Sequence, residues 1–501
     1  MTYGDGEKQK GGTMIEKEKL VKVVGADNVI YEPAVLGEYA KDMSFINTVR
    51  PDCVVKPRST DDIVKLVKLS RETLTPLVPV SSGPPHFKGD TVPAAGGAVI
   101  VDLSDMKKII RVDRLNRVAM FEPGVTFGEL IPTVTKEKLR LNMPLMPRKT
   151  KSVTASMLER EPVVLPIYHW DLPDPLNCVE IIFGTGDMFR TGAAAGPGSL
   201  EEQWAAGGAQ VTPAGPSSAS WYRMIGGSQG TMGIVCWSSA RCELLPRVEE
   251  PYFVGSKDLD KLMEMVHWLI RLRMPNECFI LNRTNLATMM SKNYVKQYRE
   301  IHDSLPPWIL FYNLAGYDYY PEERVKVHEE DARGIAQRAQ VEAARSAGRI
   351  SAFEFLKAAQ APSAEPYWKL RASGACQDIA FITNLQNVEV LLDVMYDAAS
   401  QAGYPVPYMG TYIQPLVQGA NYHVEFNLFY DSNNRREVRL VRNLTNDVID
   451  PLIANGAFFS RPYGETARYI LNKDVATVEM LKRVKTIFDP DNVMNPGKLC
   501  F

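Results

Sequence analysis

Paired cysteines are the first feature that this sequence lacks. Its seven cysteines are scattered, no two of them form a C-x-x-C pair, and the first residues carry no apolar signal-peptide core. The missing pairs argue against a zinc site or a thioredoxin-like dithiol. An odd number of cysteines without a signal peptide indicates free thiols in a reducing compartment, so we expect a cytoplasmic protein.

A long apolar run and a strong net charge are also missing. No stretch approaches the roughly 18–20 apolar residues that span a bilayer, so no transmembrane segment is predicted. The 57 basic and 59 acidic residues leave a formal net charge of -2. This argues against nucleic acid as a partner, because phosphate binding needs a basic surface. The 45% hydrophobic and 23% charged residues that are present are typical of a globular protein of roughly two or three domains.

The first half of the chain is predicted to contain a β-α-β crossover. A short strand around Cys53 is followed by N-cap residues at 59–62, a helix with one apolar face, and a strand at Leu77–Val80. Such a crossover normally makes a parallel pair of strands. The loop at 81–90 leaves the second strand at its carboxyl end, which is a favoured ligand position.

A second loop is dense in glycine. Gly227, Gly230 and Gly233 recur every third residue and lead into Ile234 and Val235. Few side chains obstruct the approach to such a backbone, whose N–H groups can hold a phosphate. The pattern is also typical of a tight turn before a buried strand, so these residues alone leave both interpretations open.

The second half mixes strands and helices. Helical segments are predicted over 256–274, 321–363, 388–401 and 435–456, and strands over 308–316 and 423–430. No period of about 20–50 residues is visible, which favours an α+β domain over a repeat array.

Five segments in a fixed order carry a resemblance to a known family. They are the strand and loop at 78–90 with the segment at 99–109, the segment at 117–126, the segment at 186–192 with 197–199, the glycine loop at 226–235 and the tail at 489–498. Together they resemble the FAD-linked oxidoreductases of the vanillyl-alcohol oxidase/p-cresol methylhydroxylase (PCMH) superfamily. The chain is also similar to the glycolate oxidase and D-lactate dehydrogenase flavoproteins.

The resemblance implies an α+β fold with two main parts. These are a PCMH-type FAD-binding domain of two subdomains and an α+β cap domain that covers the substrate. We expect a disordered leader at 1–13, the FAD-binding domain at 14–246, the cap domain at 247–470, and a tail at 471–501 that returns to the FAD-binding domain.

The resemblance also implies which residues surround FAD. The loop that would hold the pyrophosphate consists of Ser81, Ser82, Gly83, Pro84, Pro85, His86, Phe87, Lys88 and Gly89. Pro123, Gly124 and Lys498 would lie near the cofactor, and the glycine loop from Gly227 to Val235 would line its other side.

The loop departs from the family at one place. Pro84 and Pro85 stand where glycine or Arg-Asn is common, and proline has no N–H to donate. Some relatives attach FAD covalently through a loop histidine, so His86 is interpreted either as such a site or as a polar contact to phosphate.

Five residues are candidates for catalysis. By the resemblance, Asp171 would lie near the flavin N5 as an acid or base, or would be an ordinary loop aspartate. Arg461, two residues before Tyr463, would balance a phenolate, a carboxylate or the reduced flavin, or form a structural salt bridge. His423 and Glu425 share one face of a strand because side chains alternate. They would be a base and its orienting group, a metal-binding pair, or a buried polar pair. No second histidine lies close to His423 in the sequence, and no metal site is assigned.

The predicted function is that of an FAD-dependent oxidoreductase. A small hydroxylated substrate, a para-substituted phenol or an aromatic alcohol, would give up a hydride to flavin N5. The alternatives are a D-2-hydroxyacid dehydrogenase of the lactate or glycolate type and a non-catalytic flavoprotein subunit of an electron-transfer complex. The electron acceptor is left open among oxygen, a cytochrome, a quinone and an electron-transfer flavoprotein. A homo-oligomer is expected.

Overall fold

A computed structural model of the chain describes residues 15–168, 174–216 and 221–501. The leader predicted at 1–13 and the candidate Asp171 lie outside the described residues. Three larger sheets and one two-stranded sheet organise the described part of the chain. Short 3₁₀ turns lie at Ala26–Asn28, Gly192–Ala195, Trp368–Leu370, Leu385–Asn387, Val406–Tyr408 and Val417–Gly419.

The first sheet contains the predicted crossover. Its strands and helices are β1 (Val29–Ile30), β2 (Cys53–Val55), β3 (Leu77–Val80), β4 (Val99–Asp102), α1 (Lys17–Val24), α2 (Pro33–Tyr39) and α3 (Thr60–Thr73). The strand order is β1-β2-β4-β3. Helix α3 begins where Ser59 Oγ accepts the N–H of Asp62 at 3.2 Å, as its N-cap pattern predicts. Strands β2 and β3 both run parallel to β4, which lies between them. The predicted direction is correct, but the two strands are not neighbours because β4 inserts between them.

The second sheet is antiparallel. Its strands and helices are β5 (Ile109–Asp113), β6 (Val118–Phe121), β7 (Leu139–Leu141), β8 (Leu176–Phe183), β9 (Met188–Arg190), β10 (Gly233–Leu244), α4 (Phe127–Lys136), α5 (Val153–Leu158), α6 (Leu200–Ala205) and α7 (Tyr222–Ile225). The order is β5-β6-β10-β8-β9, and β7 pairs with β10. The predicted hairpin is present as β8 and β9, which pair Ile182 with Met188 across the turn at 184–187.

The third sheet has the strand order β14-β11-β13-β12-β18-β19-β17. The strands of this half are β11 (Val248–Ser256), β12 (Pro275–Asn282), β13 (Trp308–Gly316), β14 (Ala343–Ala344), β15 (Ser346–Ala347), β16 (Ile350–Ser351), β17 (Ala375–Thr383), β18 (Met409–Leu416) and β19 (Asn421–Tyr430). Its helices are α8 (Leu259–Arg271), α9 (Arg283–Met290), α10 (Tyr294–Ser304), α11 (Pro321–Arg338), α12 (Ala352–Ala359), α13 (Val388–Ala402), α14 (Arg435–Asp447), α15 (Ile449–Ala454), α16 (Gly464–Leu471) and α17 (Val475–Phe488).

Two predicted helical segments are interrupted. The segment at 321–363 contains α11, which ends at Arg338, followed by β14 to β16 and α12. Gln340 and Gly348 have φ values of 56° and 52°, which no continuous right-handed helix can include. The segment at 435–456 is divided at Val448 into α14 and α15. Pro451 lies in the first turn of α15, where the missing N–H is tolerated.

Strand β19 sets the position of the site described below. Its side chains alternate between two faces, as in any strand. Val424, Phe426 and Leu428 are fully buried in a core formed with α8 and α13. His423 and Glu425 therefore project from the opposite face of the sheet.

The tail after α17 lies beside β3. The N–H of Leu77 donates to the Val493 carbonyl, and the N–H of Asn495 donates to the Leu77 carbonyl, both at 2.8 Å. Lys498 Nζ donates to the carbonyls of Gly89 at 2.7 Å and Val92 at 2.5 Å. The tail thus holds both ends of the segment at 77–92. Among the described residues, no helix is long and apolar enough to cross a membrane.

Candidate active site

A cleft of about 300 Å³ lies between the loop at 81–91 and the third sheet. This volume is at the lower end of the range of roughly 300–1,000 Å³ for small-molecule sites. The lining residues with polar or aromatic side chains include Ser81, Ser82, His86, Phe87, Lys88, Asp90, Arg148, Lys151, Glu159, Glu161, Tyr367, Trp368, Lys369, Asp378, Tyr412, His423, Glu425, Asn427, Arg461 and Tyr463.

A network around Glu425 forms the wall on the third sheet. Lys369 Nζ donates to Glu425 Oε1 and to Asp378 Oδ2, both at 2.6 Å. Asn427 Nδ2 bridges the same two carboxylates at 2.8 and 2.7 Å. Asp378 and Asn427 are direct partners in the antiparallel pairing of β17 with β19. The register of these two strands therefore brings Asp378, Glu425 and Asn427 together, and Lys369 reaches them from the turn at Trp368–Leu370.

His423 lies at the edge of this network and is 2% exposed. Its Nε2 lies 3.4 Å from Glu425 Oε2, which is long for a hydrogen bond. Burial lowers the pKa of His423, and the attraction of Glu425 offsets this only in part. Burial opposes ionisation of Glu425, but Lys369 and His423 outweigh it and hold the pKa of Glu425 well below its usual range. At neutral pH the pair is a neutral imidazole beside a carboxylate.

Four charged side chains near the loop satisfy one another. Lys151 Nζ donates to Glu159 and Glu161, both at 2.7 Å. Lys88 Nζ contacts Glu159 and lies 3.3 Å from Glu161. Burial opposes the ionisation of both carboxyl groups, but the two lysines outweigh it and lower their pKa values. Close by, burial and the charge of Glu159 raise the pKa of Asp90 to about 6.

Two arginines in the cleft have guanidinium N–H groups that donate to no described residue. Arg461 makes no hydrogen bond or ion pair with any described residue. Arg148 donates from Nη2 to the Gly83 carbonyl at 3.0 Å, whereas its Nη1 is buried and has no partner in the described part of the chain. Arginine carries its charge at every physiological pH and forks onto planar anions. The cleft is thus equipped to bind negative charge.

Comparison with known proteins agrees with this arrangement. Residues 51–154 match the family described as an FAD binding domain, and residues 423–499 match the C-terminal domain of FAD linked oxidases. The chain is 23% identical over 490 residues to a glycolate oxidase subunit of Bacillus subtilis (strain 168), with 96% of each chain covered. It is 24% identical over 528 residues to the flavoprotein subunit of 4-cresol dehydrogenase (hydroxylating) of Pseudomonas putida, covering 98% of this chain and 96% of the relative.

The chain is an FAD-linked oxidoreductase. Its fold is similar to that of a solved p-cresol methylhydroxylase with substrate bound. The TM-score is 0.82 at 20% identity, over 97% of this chain and 96% of that one. The two family matches and the relatives bear out the predicted resemblance to FAD-linked oxidoreductases, and the α+β fold with its two-domain architecture and FAD as cofactor are confirmed.

The loop of this flavoprotein offers donors that suit the cofactor. The N–H groups of Gly83, His86 and Phe87 donate to no acceptor among the described residues. His86 is buried, and buried backbone donors are nearly always paired, so its N–H is available to a bound anion, with the partly exposed N–H groups of Gly83 and Phe87 beside it. The N–H of Gly89 is taken by Asp42 Oδ2 at 2.5 Å. The residues present thus fit an FAD phosphate, although Pro84 and Pro85 remove two donors from the loop.

The predicted catalytic residues in the described chain come together. His423, Glu425, Arg461 and Tyr463 all line the cleft. From the predicted pyrophosphate loop, Ser81, Ser82, His86, Phe87 and Lys88 also line it. His86 Nε2 donates to the Ser82 carbonyl at 2.9 Å, and Lys88 is engaged by Glu159 and Glu161. Their roles toward FAD and substrate stay predictions.

Other predicted cofactor residues have close contacts within the protein. A Cβ atom added to Gly227 would lie 3.0 Å from Arg160 Cζ, one at Gly230 would meet Pro79, and one at Gly233 would meet the Ile182 carbonyl. Gly83, Pro84, Pro85, Gly89, Pro123, Gly124, the loop at 227–235 and Lys498 are not among the residues that line the cleft. Close packing within the protein therefore explains why these three positions are glycine. Their contact with FAD stays a prediction.

The sequence interpretation missed Lys369, Asp378 and Asn427. Asn427 could have been found, because it continues the spacing of His423 and Glu425 on one face of a strand. Lys369 and Asp378 had no local signal. Asp378 comes near Glu425 through the pairing of β17 with β19, and Lys369 reaches it from the turn at Trp368–Leu370. In the described ranges, no group of three or more His, Cys, Asp or Glu side chains could hold a metal ion.

Proposed function

We propose that this flavoprotein oxidises a small para-substituted phenol or aromatic alcohol. The observation that carries the proposal is the Arg461 guanidinium, which pairs with no described residue, in a cleft that is also lined by Tyr367, Trp368, Tyr412 and Tyr463. Aromatic side chains favour a flat apolar ring, and the guanidinium favours an oxygen that carries negative charge. FAD supplies the hydride acceptor at flavin N5 when it is bound.

In this proposal Arg461 binds the substrate oxygen. Lys88 and Lys369 are committed to carboxylates, whereas Arg461 has no such partner in the described chain. A substrate oxygen that becomes negative would meet an arginine that needs no rearrangement to receive it. The arginine would thereby favour loss of the hydroxyl proton from the substrate.

His423 is the proposed acceptor of that proton. Its Nε2 faces the ionised Glu425, so the proton of the neutral ring is best placed on Nε2 and the lone pair on Nδ1. Lys369 and Asn427 hold Glu425 in position, and Glu425 in turn stabilises the imidazolium that forms when Nδ1 takes a proton. The substrate then loses a proton to His423 and a hydride from carbon, which together are the two electrons and two hydrogens of an oxidation.

A substrate panel tests the proposal. Purified protein with bound FAD is mixed under anaerobic conditions with para-substituted phenols, benzylic alcohols and D-2-hydroxy acids, and bleaching of the flavin absorbance is followed. Bleaching by phenols or benzylic alcohols is expected. If none of them reduces the flavin while a hydroxy acid does, the aromatic assignment is wrong.

The D-2-hydroxy acids are the second candidate class. The same guanidinium at Arg461 suits the carboxylate of a hydroxy acid, because arginine forks onto two oxygens. The similarity to a glycolate oxidase subunit also favours this class. The two substrate classes would use the cleft differently. An aromatic substrate would contact the aromatic side chains that line it, whereas a lactate-sized substrate would not.

An arginine variant tests the anion-binding role directly. Arg461→Ala is expected to slow flavin reduction by at least about tenfold, because a charged hydrogen bond to substrate contributes about 1.5–3 kcal/mol. Arg461→Lys should recover part of the rate. Arg349→Ala is the matched control, since that arginine is exposed and pairs with Glu300. Equal rates for Arg461→Ala and the control would rule out the role.

A further inference from the structure

Arg148 is a buried arginine that forms no ion pair with a described residue. It is 6% exposed and lies in the wall of the cleft. No carboxylate of the described residues lies within ion-pair distance of its guanidinium. A guanidinium that is almost fully buried is normally paired, because removing a charge from water is costly.

The guanidinium is held in a fixed direction. Nη2 donates to the Gly83 carbonyl at 3.0 Å, and Cζ lies 5.5 Å from the centre of the Phe87 ring. A second guanidinium nitrogen, Nη1, is buried and makes no hydrogen bond to a described residue. Arg148 therefore contacts both ends of the turn at 83–87, and its Nη1 donor has no partner among the described residues.

The turn at 83–87 combines free donors with missing ones. Its N–H groups at Gly83, His86 and Phe87 are unpaired in the described chain, whereas Pro84 and Pro85 have none. Nearby positive charge is neutralised, because Lys88 is bound by Glu159 and Glu161. Lys498, which also reaches this segment, donates to the carbonyls of Gly89 and Val92. Arg148 is thus a cation beside this turn that makes no ion pair with a described residue and has a buried donor without a described partner.

We propose that Arg148 binds the pyrophosphate of FAD and replaces the backbone donors that Pro84 and Pro85 remove. The free N–H groups and Nη1 together would donate to the phosphate oxygens. Charge-assisted bonds of arginine to phosphate are among the stronger hydrogen bonds in proteins. The inference rests on the assignment of FAD as cofactor and not on the identity of the substrate.

The test compares flavins with and without phosphate. Protein stripped of flavin is titrated with FAD, FMN and riboflavin, and dissociation constants are measured from the flavin fluorescence. Arg148→Gln keeps a donor for the Gly83 carbonyl but removes the charge, and Arg148→Lys keeps the charge. Circular dichroism and the thermal midpoint establish that each variant is folded.

Arg148→Gln is expected to weaken FAD binding by about ten- to a hundredfold and to leave riboflavin binding within about twofold. Arg148→Lys should recover a large part of the FAD affinity. Inorganic pyrophosphate should compete with FAD for the wild type more strongly than for Arg148→Gln. None of these measurements uses a substrate, so they can fail or succeed independently of the proposed function.

Two results would overturn the inference. The first is FAD affinity unchanged in Arg148→Gln. The second is an equal loss for riboflavin and FAD, which would move Arg148 to the flavin ring or to the fold. If acid precipitation shows that FAD is covalently attached, the flavin content of the purified variants replaces the titration. A wild-type flavin content in Arg148→Gln then counts against the role.

Discussion

Replacing Lys369 by methionine tests the network that holds Glu425. Lys369 is 9% exposed and donates to Glu425 and Asp378 at 2.6 Å each. Removal of one member of a buried ion pair costs about 3–5 kcal/mol, since it leaves a buried charge without a partner. The Asp378 side chain is 38% exposed and can be hydrated, so we expect a loss of about 3 kcal/mol in the free energy of unfolding.

The sign of the pH dependence follows from the direction of the pKa shift. The pKa of Glu425 is lower in the folded chain than its ordinary value of 4.5. Its ionised form therefore stabilises the fold above about pH 4.5, and this stabilisation is lost as the pH falls through the folded-state pKa. Because Lys369 is a principal cause of the low pKa, the difference between wild type and Lys369→Met should shrink below pH 4.5.

Urea unfolding at pH 7 and pH 4 measures both effects, on protein with matched flavin content. Lys357→Met is the control, because Lys357 is exposed in α12 and should change stability by less than about 0.5 kcal/mol. The double variant Lys369→Met/Glu425→Gln should regain part of the loss, since the carboxylate left without its cation is then neutral. A single variant as stable as the control, or a double variant less stable than the single, would refute this account of the network.

Two further predictions concern stability. Asp90→Asn should match the wild type near pH 4 and exceed it by up to about 3 kcal/mol at pH 7, because a folded-state pKa of about 6 favours the protonated fold and stability is lost as pH rises through it. A wild type that gains stability relative to Asp90→Asn between pH 4 and pH 7 would contradict this. Gly233→Ala should cost about 1–3 kcal/mol in urea unfolding, because its Cβ would meet the Ile182 carbonyl, whereas Gly334→Ala in α11 meets nothing and should stabilise by up to about 1 kcal/mol. Equal midpoints for the two alanine variants would show that the strand pairing has room to adjust.

Local chemistry accounts for what could be predicted from the sequence. Ser59 before Asp62, the turn at 184–187 and the alternation of His423 with Glu425 each depend on residues a few positions apart, and each appears as expected. The direction of β2 and β3 also followed from the crossover between them, but the insertion of β4 did not, because it depends on a strand further along the chain.

The features that could not be predicted from the sequence depend on contacts between residues that are far apart in the chain. Lys369 is 56 positions from Glu425 and has no local pattern that distinguishes it from a surface lysine. Arg148 lies 65 positions from Gly83, and the lack of an ion pair with any described residue is visible only when the surrounding side chains are in place. The helix predicted over 321–363 is wrong beyond Arg338. The charged, helix-favouring sequence continues past this residue, but the backbone at Gln340 leaves the helical region.

The attachment of the tail to the cofactor loop affects the order of events during synthesis. Asn495 donates to the Asp90 carbonyl and Lys498 donates to the Gly89 carbonyl, across separations of 405 and 409 residues. A ribosome adds about 5–20 residues per second, so the loop leaves the ribosome roughly 20–80 s before these two partners exist. During that interval the loop lacks the bonds that hold its carbonyl groups. Stable capture of FAD is therefore expected only after residues 495–498 have emerged.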